Sequence, residues 1–156
     1  MNTRQKKLVA NIVTVLFFTT VMIVGFANIK NNINRSESMR AMGLLGKEIL
    51  EYRKLNGSLP NEFYVNQFKD KISAVRLGDI QYRAQWIEFG SQPDKTILAY
   101  VEKNYRGFVK AGFIALWLDG KVEWIGKKQF EKILAAQQKK LELQWLREHL
   151  QKEQNF

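Results

Sequence analysis

From Leu8 to Ile29 the chain carries no charged residue (LVANIVTVLFFTTVMIVGFANI), with Arg4, Lys6 and Lys7 before it and Lys30 after it. A bilayer core is about 30 Å thick and a helix rises about 1.5 Å per residue, so roughly 20 apolar residues cross it. This run has that length, and Leu8, Val15, Phe17, Phe18, Ile23 and Phe26 are expected to face lipid. Its polar residues are Asn11, Thr14, Thr19, Thr20 and Asn28. Only the threonines lie deep, where a hydroxyl can bond back to the preceding helical turn. A secretory signal peptide fits less well, because its apolar core is about 7 to 15 residues and ends in a small-x-small cleavage site. A buried core helix fits less well too, since the rest of the chain would have to cover a uniformly apolar helix on every side.

Positive charge flanks the run on both sides. Arg4, Lys6, Lys7 and the terminal amine crowd the leading end, whereas Lys30, Arg35 and Arg40 are spread along the far side. Under the positive-inside rule the tighter cluster favours a cytoplasmic N-terminus, with the remaining chain on the other side of the membrane. Residues 1–7 then form a cytoplasmic end, 8–29 the span, 30–126 an α+β domain and 127–156 a C-terminal amphipathic helix.

The chain has 156 residues, which leaves room for one small domain beyond the span. Twenty-five Lys and Arg against 15 Asp and Glu give a formal charge of +10; without Arg4, Lys6 and Lys7 the balance is 22 to 15, or +7. Such a surface suits anionic partners such as headgroups, wall polymers or acidic protein faces; with the domain outside the cytoplasm, no nucleic acid is expected. It also suits plain solubility. There is no cysteine, hence no disulfide framework and no thiolate, and the single histidine, His149, lies in a charged stretch near the end.

Lys30 to Ser38 is rich in Asn and Ser, which compete with helix through local bonds to the backbone, so a bend is possible there. If that stretch stays helical, the span and the next helix form one rod of roughly 50 residues. Met42, Leu45, Ile49, Tyr52 and Leu55 follow at helical spacing and predict an amphipathic helix ending near Leu55, where Asn56-Gly57 suits a left-handed C-terminus. Between Ser58 and Gly78 no period persists; a short helix or turn is expected to carry Phe63, Val65 and Phe68 inward.

From Asp79 the period becomes two. Ile80, Tyr82, Ala84 and Trp86 alternate with Gln81, Arg83 and Gln85, which predicts a strand with one buried face. TILAYVE predicts a second strand, and GFIALWL and KVEWI, separated by Asp119-Gly120, predict a hairpin on a two-residue turn. Lys127 to Gln154 has strong helix composition. Trp145, Leu146 and Leu150 give its distal half more apolar surface than a free tail needs, so a partner helix, a second copy or a membrane surface is a candidate cover.

The order of span, amphipathic helix, loop, small antiparallel meander and final hairpin resembles type IV pilins and type II secretion pseudopilins. Tyr52-Arg53-Lys54-Leu55-Asn56-Gly57-Ser58-Leu59-Pro60 resembles the run that ends the long first helix of pseudopilins. Leu116-Trp117-Leu118-Asp119-Gly120-Lys121-Val122-Glu123-Trp124-Ile125 is similar to the Asp-Gly-His-Val hairpin of pilin-like proteins abundant in planctomycetes, with Lys121 in place of the histidine. The resemblance implies an α+β pilin-like fold in a bacterial cytoplasmic membrane, with the domain outside the cytoplasm. Prepilins carry a glycine before the cleavage point and a glutamate at the fifth mature position; Lys6-Lys7-Leu8-Val9-Ala10-Asn11-Ile12 has neither, so an uncleaved anchor is expected.

No metal-loop spacing, Gly-rich phosphate loop or nucleophile elbow is present, so no enzyme and no cofactor are expected. Asp119 reads as a turn residue, and Gly43-x-x-Gly46 as a site of close helix packing. Trp86, Trp117 and Trp124 lie in predicted strands and read mainly as core, with stacking on sugars or bases as the alternative. Arg76, Arg83, Lys103, Arg106 and Lys110 supply cations for a basic face beside them. Two functional readings follow: a non-enzymatic, membrane-anchored structural or accessory protein, or a tethered basic module that binds an anionic polymer or lipid.

Overall fold

A computed structural model of the chain describes residues 2–72, 75–105, 110–138, 142–144 and 147. The first element is one unbroken helix, α1, over Thr3–Asn56. At about 1.5 Å per residue its 54 residues extend roughly 80 Å. The hydroxyls of Thr14, Thr19 and Thr20 donate to the carbonyls of Ala10, Val15 and Leu16 at 2.8 to 2.9 Å, so each deep polar group is satisfied within the helix. Lys30 to Ser38 continues the helix without a break. Tertiary contacts hold it: the Ser38 hydroxyl donates to the Arg76 carbonyl at 2.8 Å, Glu37 pairs with Arg76, and the Arg35 guanidinium lies 4.3 Å from the Trp124 ring centroid. Gly57 ends the helix at φ +73°, its N–H donating to the Arg53 carbonyl.

A second helix, α2 over Glu62–Lys71, starts at Asn61, whose side chain accepts from the Tyr64 N–H at 2.9 Å. Two 3₁₀ turns, Val75–Leu77 and Ala84–Trp86, flank strand β1, Gln81–Tyr82. Strands β2 (Ile97–Lys103), β3 (Gly112–Trp117) and β4 (Val122–Gly126) complete an antiparallel sheet in the order β1-β2-β3-β4, and helix α3 follows over Lys127–Gln137. The architecture is therefore α+β, as the pattern of periods predicts.

Each face of the sheet carries its own core. On one side Leu98, Val101, Ile114 and Leu116 meet Met42, Leu45 and Ile49 of α1, with Val65 and Leu77 beneath. On the other, Tyr100, Phe113, Ala115, Trp117 and Ile125 meet Phe130 of α3, whose ring stacks on Phe113 at 3.9 Å between centroids. All six residues of β3 are buried, since this strand is covered on both faces. A Cβ on Gly46 would lie 2.6 Å from Leu116 Cδ1, so this glycine lets α1 approach β3; Gly43 faces open space.

Several expectations change. Tyr52 is half-buried and Leu55 exposed, so the buried stripe of α1 closes at Ile49. Val65 points inward and Phe68 partly so, but Phe63 is exposed. The long first strand shrinks to two residues, because the backbone it would extend against is taken: the Ile97 N–H donates to Gln137 Oε1 and the Ile97 carbonyl accepts from Arg83. The hairpin turn has three residues, not two. Trp117 pairs with Lys121, the Gly120 N–H donates to the Trp117 carbonyl, and Gly120 takes φ +93°, the left-handed residue of a three-residue loop. The predicted C-terminal helix is interrupted: α3 ends at Gln137 and Gln138 is extended, while residues 142–144 and 147 are again helical and the rest of that stretch lies outside the described residues.

Candidate functional site

Two regions follow from how α1 is built: an uncovered apolar segment and the clefts where the domain leans on the helix. Residues 2 to 23 are exposed along their whole length, and Leu8, Val15, Phe17, Phe18, Ile23 and Phe26 present their side chains outward. Among the described residues this is the one helix long and apolar enough to cross a membrane.

The predicted basic face does not form as a unit. Arg83 is buried at 3 % exposure and is spent internally. Its Nε donates to Glu142 Oε1 at 2.6 Å and its Nη2 to Glu142 Oε2 at 3.0 Å, a bidentate pair. Nη1 donates to the Ile97 carbonyl at 2.9 Å and to Gln137 Oε1 at 3.1 Å, and Nη2 reaches the Gln137 carbonyl at 3.4 Å. All five donors are used, and they tie β1, β2 and the chain beyond α3 together. Lys110 is exposed just before β3, while Arg106, Trp145, Leu146 and Leu150 lie outside the described residues. Trp117 is buried against α3, with its indole N–H on Glu123, and Trp124 is half-buried under the Arg35 guanidinium.

Arg76 and Lys103 come together elsewhere, in a cleft of about 650 Å³ where the domain overhangs α1 just past the apolar run. Ala27, Lys30, Asn34 and Ser38 form the helical wall, and Arg76, Lys103 and Tyr105 the domain wall. The Lys103 ammonium donates to the Leu77 carbonyl at 2.9 Å and also to the Arg76 carbonyl; desolvation lowers its pKa from the ordinary lysine value. Tyr105 stacks on Trp124 with centroids 5.9 Å apart, and its phenol oxygen is buried without a hydrogen-bond partner among the described residues. Burial pushes its pKa up, partly countered by Arg35.

At the other end of α1 a second cleft of about 620 Å³ lies between the Gly57–Glu62 turn and the 84–91 loop. Leu55, Phe63 and Phe89, all exposed, mark this end with apolar surface. Nearby, Tyr64 donates to Glu48 and packs its ring on Tyr52 at 4.7 Å, and the Glu48 bond raises the phenol's pKa. Among the described residues no three His, Asp or Glu side chains converge as a metal site would need.

Sequence reasoning named Arg76 and Lys103 but missed Lys30, Asn34 and Tyr105 as their companions. Only the helical spacing of Ala27, Lys30, Asn34 and Ser38 hints at a shared wall. Compared with family models, curated proteins and solved structures, the chain matches none. What the fold and its surfaces define is a class: a small α+β domain built onto the far half of a long helix whose near half is apolar and bare.

Proposed function

We propose that this chain is a single-pass, membrane-anchored, pilin-like protein of the bacterial cytoplasmic membrane, serving a larger assembly as a structural or accessory subunit and not as an enzyme. One observation carries the reading. The same unbroken helix leaves residues 2–23, most of the apolar run, exposed on every side and buries Met42, Leu45 and Ile49 in the domain core, so the domain is rigidly coupled to whatever holds the apolar half. A short linker would have served to retain the domain at a membrane; a continuous rod also sets its height and rotation. The apolar half and the exposed Leu55, Phe63 and Phe89 at the far end are the surfaces such an assembly would use.

The chain contains no cysteine, which makes the test direct. Single cysteines at Gln5 and Gln92 are labelled in intact cells with a membrane-impermeant maleimide, and the membranes are extracted with alkaline carbonate. The reading expects Gln92→Cys to react from outside, Gln5→Cys to stay protected, and the intact chain to remain in the pellet. Photo-crosslinking from Phe17 and Phe89 then expects adducts of discrete mass. Release by carbonate, loss of residues 1–29 from the mature chain, or a lone monomer at both positions would overturn it.

A further inference from the structure

The cleft between α1 and the domain lies at a particular depth. The charge-free run ends at Ile29, and the helical wall of the cleft begins at Ala27 and continues through Lys30, Asn34 and Ser38. Lys30 to Asn34 covers about 6 Å along the axis, which is the thickness of one headgroup layer outside a hydrocarbon core of about 30 Å. With the apolar run in the bilayer, this cleft opens among lipid headgroups.

Its chemistry is one-sided. Lys30, Arg76 and Lys103 line it with the amides of Asn34 and Asn104, and among the described residues no carboxylate lines it. Glu37 engages Arg76 from beside the cleft, whereas neither Lys30 nor Lys103 has a carboxylate partner among the described residues. The Tyr105 O–H is a buried donor with no acceptor among the described residues. Buried polar groups normally find a partner, so a donor left over in the wall of a cationic cleft points to an absent acceptor. Trp124 and Tyr105, stacked beside it, are side chains enriched at headgroup depth.

We infer that this cleft seats the phosphate of an anionic glycerophospholipid headgroup, held by Lys30, Lys103 and the Tyr105 hydroxyl. An anionic headgroup fits better than a zwitterionic one, because a choline or ethanolamine brings its own cation against the cleft's net positive charge. The phosphate oxygens would accept from Tyr105 and offset the desolvation of Lys103. A bound lipid would also wedge the domain against α1 and fix its stance on the membrane. This inference rests on the membrane-anchored reading above.

The full chain is reconstituted in nanodiscs of phosphatidylcholine containing a minor fraction of phosphatidylglycerol, and the lipid it retains on release is identified by native mass spectrometry. The expected result is preferential retention of one phosphatidylglycerol. Tyr105→Phe keeps the ring on Trp124 and removes only the donor, and Lys30→Gln changes an exposed helix residue; each should cut the preference by about tenfold, the weight of one hydrogen bond to a charged group. Lys132→Gln, distant in sequence and on α3, should leave it unchanged. Equal retention of both lipids, an equal loss with Lys132→Gln, or displacement by inorganic phosphate alone would overturn the headgroup site. Carbonate extraction of the same variants separates the two failures: a chain that stays in the membrane but ignores headgroups sinks this inference only, whereas a chain that extracts sinks both.

Discussion

Arg83 shows how far a single residue can depart from its sequence setting. In the run Ile80 to Trp86 it falls with Gln81 and Gln85 on the polar side of an alternating pattern, which reads as a solvent face. Gln81 and Gln85 are indeed exposed, but Arg83, where the chain leaves β1 for the 3₁₀ turn, reaches Gln137 of α3 and becomes a buried cation paired with Glu142, 59 residues away. Alternation assigns sides only while the chain stays extended, and Arg83, at φ −111° and ψ 10°, has already left the strand. Removing one member strands a buried charge, so Arg83→Met and Glu142→Leu should each lower unfolding free energy by about 3–5 kcal/mol. The double variant replaces the pair with apolar groups and should recover most of that loss. Chemical denaturation of the four proteins in one detergent gives the coupling directly; strictly additive losses would show that the pair is not the unit.

At the scale of elements, the two long helices fail to follow composition in opposite directions. Lys30 to Ser38 is poor helix material yet stays helical, because Ser38, Glu37 and Arg35 each find a partner on the domain. Lys127 onward is good helix material yet α3 ends at Gln137, whose side chain is claimed by Ile97, Lys95 and Arg83. Local propensity amounts to a few tenths of a kcal/mol per residue, and a handful of buried hydrogen bonds overrides it. The contact of α1 with the sheet is testable by comparing Gly46 with Gly43. Gly46→Val drives a side chain into Leu116, which is itself fully buried, and should cost about 1–3 kcal/mol. Gly43→Ala enters open space and should stabilise by up to about 1 kcal/mol through helix propensity. Thermal unfolding of both variants checks the pair, and similar shifts for the two would refute the packing assignment.

For the whole molecule, the titration of buried groups sets how stability depends on pH. Tyr82, Tyr100 and Tyr105 are all raised by burial, and Tyr82 also donates to the Pro60 carbonyl at 2.9 Å. A phenol whose folded pKa is raised contributes stability that is complete below its unfolded value of about 10 and lost as pH climbs toward the folded one. Lys103, lowered by desolvation, acts the other way, since its penalty eases as it deprotonates. Three phenols outweigh one ammonium, so the unfolding temperature should hold to about pH 9 and fall above about pH 10. Tyr82→Phe should lower the unfolding free energy by about 1 kcal/mol at neutral pH and flatten the alkaline fall, both read by near-ultraviolet circular dichroism. An unfolding temperature that rises above pH 10 would contradict this balance.

The sequence by itself determined the long apolar helix, the α+β class, the strands β2 to β4 and the hairpin at Asp119-Gly120, because each rests on a local period or a turn residue that neighbours in the chain suffice to impose. Tertiary structure alone decided that both faces of the sheet are covered, that β1 stops at Tyr82, that α3 stops at Gln137, and that Lys30, Arg76, Lys103 and Tyr105 share one cleft. Those outcomes depend on contacts between residues tens of positions apart, where burial and hydrogen bonding outweigh local preference, and no period along the chain records them.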